Sequence, residues 1–214
     1  MLSTIKNYLA RQARNPFGWF GRIVAPLVFN HENQHMEDFG LERMDPQKDD
    51  YILEIGFGHG RLLSKLVQQV TEGKVHGIDI SEQMVKVTTN RNKDCVDNGK
   101  LALKQASIAD IPYPEGKFDK VFTCNTIYFW PDPKENIKEV KRVLKPGGKL
   151  LCAFRDKDLM QSKSSAVTEN REIFQNLYPP EEVKQLFQEA GFKKAQIHAK
   201  IANSETTFLA VGTR

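Results

Sequence analysis

The chain has 214 residues, 40% of them hydrophobic and 27% charged. That balance excludes a disordered tract or a membrane-spanning bundle and suits one soluble domain with a full core. Its net charge of +4, without a dense basic patch, does not mark a nucleic-acid surface. Three cysteines, Cys95, Cys124 and Cys152, are odd in number, widely spaced and free of any C-x-x-C pair. This argues against a disulfide framework or a structural zinc and for reduced thiols in the cytoplasm.

Residues 1–48 read as an amino-terminal helical extension. Leu2, Ile5 and Leu9 recur at helical spacing, and Pro16, Gly18 and Gly21 interrupt the pattern. A second helix is predicted over about 22–39, bent near Pro26 and stopped at Gly40. The run IVAPLVF (23–29) is too short to span a membrane, and no small-residue cleavage site follows it.

The second region, 49–214, alternates regularly. YILEIGFG is an apolar strand running into glycines, and GRLLSKLVQQV a helix with one leucine-valine face. KVHGIDI is a second strand, and SEQMVKVTTNRNKDCVDNG one helix capped by Ser81. LALKQA, FDKVFTCN and GGKLLCAFR are strands three to five, with the helix DPKENIKEVKRVL between the last two. A polar segment (156–177) precedes a helix begun by Pro179 or Pro180 and closed by Gly191. FKKAQIHAK and TTFLAVGT are joined by a short connection and pair antiparallel. Strand alternating with helix predicts an α/β fold, a mainly parallel sheet covered on both faces.

In such a sheet, ligands bind beyond the carboxyl ends of the strands. The first strand ends in Glu54, Ile55 and the turn Gly56-Phe57-Gly58-His59-Gly60. Glycines allow a tight turn and a close backbone approach, and the next helix opens with free amides. The second strand ends in Asp79, where a carboxylate can accept both hydroxyls of a ribose. Together these residues indicate a nucleoside-containing cofactor. The spacing G-x-G-x-G, with an acid two residues ahead, differs from the dinucleotide fingerprint G-x-G-x-x-G.

That loop, with GIDISEQMV, IPYPEGKFDKVF and NTIYFWPDPKENIKEVKRVLKPGGKL in order, resembles the class I S-adenosylmethionine-dependent methyltransferases from about Tyr51 to the end. The small-molecule group that includes the quinone-biosynthesis enzymes is the most similar. The resemblance implies a Rossmann-like seven-stranded sheet of order 3-2-1-4-5-7-6, strand seven antiparallel, with an amino-terminal helical lid. It implies S-adenosylmethionine as cofactor and no metal. Gly56, Gly58 and Gly60 would line its methionine part, Glu54 its amino group or the loop, and Asp79 its ribose. Ile80 and Met84 would pack near the adenine, although helix packing accounts for Met84 equally well. Ser107 and Ile108 fall at the adenine edge, where many relatives carry aspartate in place of Ser107. Asn125 would line the cofactor and face the acceptor. NTIY is similar to the N-P-P-Y of DNA amino-methyltransferases but lacks both prolines, so a nucleic acid is not the expected substrate.

Methyl transfer is an in-line displacement that needs alignment and dryness more than a base. Phe17, Trp19, Phe29, Tyr128, Trp130, Arg155 and Tyr178 are the expected walls of the acceptor pocket, and His31, His35 and Tyr128 the candidate catalytic groups. His31, Glu32 and His35 also fit the zinc pattern H-E-x-x-H. A third ligand is then needed, and Glu54 already belongs to the cofactor turn; solvated helix residues or a lid imidazole over the acceptor account better for the motif. Two alternatives accompany the expectation of a small-molecule methyltransferase. One is a cofactor-binding module without turnover. The other is an enzyme whose basic, aromatic first thirty residues lie on an anionic membrane to reach a lipophilic acceptor. The acceptor atom and the oligomeric state are not written in the sequence.

Overall fold

A computed structural model describes residues 8, 12, 14, 15, 33–163, 174, 176–202 and 205–214. The first described helix, α1, covers 33–44. There follow β1 (Tyr51–Ile55), α2 (Arg61–Gln69), β2 (Lys74–Asp79), α3 (Glu82–Arg91), α4 (Lys93–Asp97), β3 (Leu101–Gln105) and β4 (Phe118–Cys124). After a single 3-10 turn (Ile127–Phe129) come α5 (Pro133–Val143), β5 (Leu144–Phe154), α6 (Lys157–Lys163), α7 (Pro180–Glu189), β6 (Lys194–Ala202) and β7 (Glu205–Thr213). The seven strands form one sheet of order β3-β2-β1-β4-β5-β7-β6. β7 runs antiparallel to both neighbours and the other pairs are parallel, the order the resemblance implies.

Alternation along β1 divides the core into two layers. Ile52 points to the side packed by Met36, Phe39 and Met44 of α1, Leu62, Leu63 and Leu66 of α2, and Met84 of α3. Leu53 and Ile55 point to the other side, against Ile137, Val140 and Val143 of α5 and Val183 and Phe187 of α7. Each fully buried leucine of α2 contributes roughly 1.5–3 kcal/mol relative to exposure.

The caps follow the sequence. Ser81 Oγ accepts from Met84 N at 3.3 Å at the start of α3, and Asp132 accepts from Glu135 N at 3.1 Å at the start of α5. Pro180 opens α7, and Gly191, with φ 86°, lies just past its end.

Two predicted boundaries are corrected. α1 does not stop at Gly40 but continues to residue 44. A Cβ on Gly40 would lie 2.2 Å from Phe122 Cε2, so this glycine permits close contact with β4 in mid-helix. The helix ends one turn later, at left-handed Asp45 (φ 48°), whose N–H reaches Leu41 O at 3.2 Å. The helix after Ser81 breaks at Asn92 into α3 and α4. Asn92 Nδ2 donates to Thr88 O at 3.0 Å, and its Oδ1 accepts from Ser64 Oγ of α2 at 2.8 Å. The amide competes for the helix's own carbonyl and is anchored across to the neighbouring helix.

Candidate active site

The carboxyl ends of β1, β2, β4 and β5 converge on one region. Between β1 and α2 the chain turns through Gly56, Gly58 and Gly60, all in the left-handed region at φ 71°, 50° and 69°. Gly56 N donates to Ile78 O at 2.8 Å, and Gly60 N to Phe57 O at 2.8 Å. A Cβ on Gly56 would strike Thr126 and one on Gly60 would strike Thr88, while one on Gly58 meets nothing within 4 Å. The outer two glycines are therefore dictated by packing, and open space lies over the middle one. His59 is turned inward, and burial followed by the Arg91 charge pushes its imidazole down to about 4, which keeps it neutral.

Asp79 ends β2 and closes the turn. Its Oδ2 accepts from Gly58 N at 3.0 Å and its Oδ1 from Ser81 N at 2.9 Å. Burial pushes its carboxyl up to about 6 against the pull of those two hydrogen bonds. A carboxylate offers about four acceptor positions, so two remain for hydroxyls.

Glu54 is buried at the end of β1, and its Oε2 has no hydrogen-bond partner. Burial first, then the charges of Glu37 and Asp79, raise its carboxyl well above the usual range. An orphaned buried carboxylate is costly, and a primary ammonium would satisfy it. The donor set thus fits the cofactor that the sequence implies: an acid for an amine, an open glycine turn, and an acid with spare acceptors for a ribose.

The remaining expected contacts divide. Ile80 is exposed beside Asp79. Ser107 is partly exposed, with its Oγ accepting from Ala109 N at 3.2 Å, and Ile108 is buried in the α5-side core. Met84 presents no surface at all (0% exposed) and packs in the α2-side core, as helix packing alone requires.

β4 ends at Asn125, left-handed at φ 55°. Its N–H binds Ala153 O at 2.9 Å, and its Nδ2 donates to Asn33 Oδ1 at 2.6 Å and to Met36 Sδ at 3.3 Å on α1. Tyr128 is buried; its hydroxyl accepts from Arg155 N at 2.6 Å and shares its proton between Asn125 Oδ1 and Arg155 O, each at 3.1 Å. Burial raises the phenol far beyond its ordinary value, and the hydroxyl's hydrogen bonds join the ends of β4 and β5. Trp130 is buried with Nε1 donating to Thr126 Oγ1 at 3.1 Å, and Arg155 is buried with its Nε 3.6 Å from Glu205 Oε2. Tyr178, partly exposed, donates to Asn176 Oδ1 at 3.1 Å. Tyr128, Trp130 and Arg155 are therefore buried, while Tyr178 keeps exposed surface. His35 lies half-buried on α1; Phe17, Trp19, Phe29 and His31 lie outside the described residues.

Sequence reasoning passed over three residues. Arg61, first in α2, reaches α1: Nε donates to Glu37 Oε2 at 2.7 Å, and Nη2 to Asp38 Oδ1 at 2.9 Å and to Gln34 O at 2.8 Å. Arg61, Glu37 and Asn33 dock α1 over the cofactor turn. The only available signal was Arg61's place directly after the last glycine.

Residues 53–152 match a family described as a methyltransferase domain. The chain is similar to the uncharacterized methyltransferase YdaC of Bacillus subtilis, 28% identical over 90% of this chain and 98% of that protein. It is 26% identical to the demethylmenaquinone methyltransferase of Symbiobacterium thermophilum, over 77% of this chain and 76% of the relative. It spans only 55% of the length of another relative, the O-methyltransferase cnsE of Penicillium expansum. Among solved structures, a SAM-dependent methyltransferase from Aquifex aeolicus superposes with a TM-score of 0.67, at 22% identity, over 83% of this chain and 88% of that one.

Proposed function

We infer that this chain, which belongs to the class I S-adenosylmethionine-dependent methyltransferases, transfers its methyl group to a small-molecule acceptor at the carboxyl edge of the sheet. The observation that carries the cofactor is the buried Glu54 carboxylate, without a hydrogen bond on Oε2, beside the open turn at Gly58 and Asp79. Relatives named for small acceptors, demethylmenaquinone among them, support the acceptor class.

When bound, S-adenosylmethionine supplies an electrophilic methyl group. Every other task belongs to the chain. Glu54 holds the amino group, Asp79 the ribose hydroxyls, the turn Gly56–Gly60 the methionine backbone, and Ile80, Ser107 and Ile108 the adenine. Asn125 fixes the boundary between cofactor and acceptor, and α1 helps to cover the acceptor and exclude water. Tyr178 lines the acceptor side, and His35 is the described imidazole available on the lid. α1, from the expected extension 1–48, and the domain 49–214 work as one unit, because α1 shares its core with the sheet. Among the described residues no helix is long and apolar enough to cross a membrane, and the free cysteines favour a cytoplasmic enzyme.

The test is calorimetric titration of S-adenosylmethionine and S-adenosylhomocysteine into ligand-stripped wild type and Asp79→Ala, followed by a methyl-transfer screen across phenols, quinols, thiols and amines. Binding lost in Asp79→Ala together with turnover of one acceptor class supports the reading. Binding without turnover of any class supports a cofactor sensor instead.

A further inference from the structure

One face of α1 meets the sheet. Asn33, Met36, Glu37, Gly40 and Met44 occupy it at spacings i, i+3, i+4, i+7 and i+11. Met36 and Met44 are wholly buried, and Gly40 abuts Phe122. Asn33 and Met36 touch Asn125 at the end of β4. Glu37 is the one carboxylate on this face, where apolar packing would otherwise be expected.

Its environment is specific. Arg61 Nε binds one oxygen, Oε2, at 2.7 Å, and no hydrogen bond of the described residues reaches Oε1. The charge of Glu37 is felt at Glu54, on the end of β1, and at Cys124, on the end of β4. Burial raises both groups first, and Glu37 is the leading charge acting on each. Glu37 sits on the helix face whose Asn33 and Met36 touch Asn125 at the end of β4, and it binds Arg61, the residue directly after Gly60 of the cofactor turn, which places it beside the ends of β1 and β4. Burial raises the Glu37 carboxyl itself above its ordinary range, against the charge and hydrogen bond of Arg61, and the same guanidinium also serves Asp38. Lys65 pairs with Asp38 on the outer side of α1, while Glu37, Glu54 and Asp79 outnumber Arg61 around the turn.

The cofactor and its spent product differ by a methyl group and one positive charge on sulfur. A neutral contact holds both equally, whereas a fixed negative field holds the sulfonium better and lets the thioether leave. We propose that Glu37 sets the cofactor selectivity of this enzyme, adding to Glu54 a second negative charge at the methionine end that favours S-adenosylmethionine over S-adenosylhomocysteine. The proposal rests on the assignment of this region as the S-adenosylmethionine site.

The experiment is calorimetric titration of both ligands into full-length wild type, Glu37→Gln, Glu37→Met, Glu37→Asp and Asp38→Asn. Glutamine keeps an acceptor for Arg61 and so preserves the docking of α1; methionine suits the apolar face and serves if the glutamine variant does not fold. Both should weaken S-adenosylmethionine while leaving S-adenosylhomocysteine within about twofold, a shift in the ratio of roughly tenfold. Glu37→Asp, which keeps the charge, should retain most of the preference. Asp38→Asn breaks pairs with Arg61 and Lys65 on the outer side of α1 and should leave the ratio unchanged. Equal weakening of both ligands by Glu37→Gln or Glu37→Met would reduce Glu37 to a structural anchor and overturn the proposal. Wild type that binds neither ligand would remove the cofactor site itself, and the proposal with it.

Discussion

Asp79 and Gly58 are joined by a 3.0 Å hydrogen bond from the glycine N–H to Oδ2, so the acid placed to hold a ribose also holds the cofactor turn in shape. The two roles separate by mutation. Asp79→Asn keeps an acceptor for one of the two backbone donors, Gly58 N and Ser81 N, while Asp79→Ala abandons both. We expect the alanine variant to lose about 1–3 kcal/mol of stability from orphaned amides and the asparagine variant much less, with cofactor affinity falling in both. Thermal melts of the ligand-free proteins, read beside calorimetry, check the separation; equal melting points would show that Asp79 does not hold the turn.

The same carboxylate gives a pH dependence with a defined sign. Its pKa is raised to about 6 in the folded chain from an ordinary 3.8, so folding is favoured by this group below the unfolded value. That contribution is lost as pH rises through about 6. Cofactor binding runs the other way, because the ionised acid is the better acceptor for two hydroxyls. Affinity for S-adenosylmethionine should fall as pH drops below about 6, and the fall should be shallower in Asp79→Asn, where only the Glu54 proton remains linked. A flat profile between pH 5 and 8 in wild type would contradict it.

Glu54 predicts a proton count. Its carboxyl is raised well above its ordinary range by burial and by Glu37 and Asp79. A bound ammonium would favour the ionised form and expel a proton. Titrations in buffers of different ionisation enthalpy should report net proton release near neutral pH, and Glu54→Gln should abolish it. Proton uptake, or release unchanged in the variant, would place the amine elsewhere.

Gly40 makes a prediction about packing alone. Alanine there would bring Cβ to 2.2 Å from the Phe122 ring, and we expect a loss of roughly 1–3 kcal/mol from overpacking. Combining Gly40→Ala with Phe122→Leu should cost less than the two single changes added together, because the pair shares one contact. Additive losses in denaturant titrations would mean that the ring has room to move.

The contrast between Gly40 and Gly58 explains what the sequence could and could not tell. The strands, the glycine turn and Asp79 were legible because each is written locally, as an apolar run ending in glycines or an acid; the strand order came only through the family resemblance. Gly40 has the same letter but a different reason, a ring on β4 more than eighty residues away, and so it was misread as a helix stop. Asn92 broke a predicted helix through its bond to Ser64, also remote. Glu37 and Arg61, separated by 24 residues, carry no periodic signal; only the fold brings that pair to the cofactor turn.

Tyr128→Phe tests whether the candidate phenol does chemistry. Its hydroxyl takes the Arg155 N–H at 2.6 Å and reaches Asn125 Oδ1 and Arg155 O, and burial raises it far above its ordinary value. Tyr128→Phe removes only this oxygen and leaves a buried N–H without its acceptor. The expected result is a loss of about 1–3 kcal/mol in stability. At saturating cofactor and at a temperature where the variant is folded, kcat should change less than about threefold, since a general base contributes 10²–10⁴-fold. A drop of that larger size, with cofactor affinity intact, would restore Tyr128 as the base; a small one leaves the proton to solvent, to the acceptor's own acidity or to an imidazole on α1 such as His35.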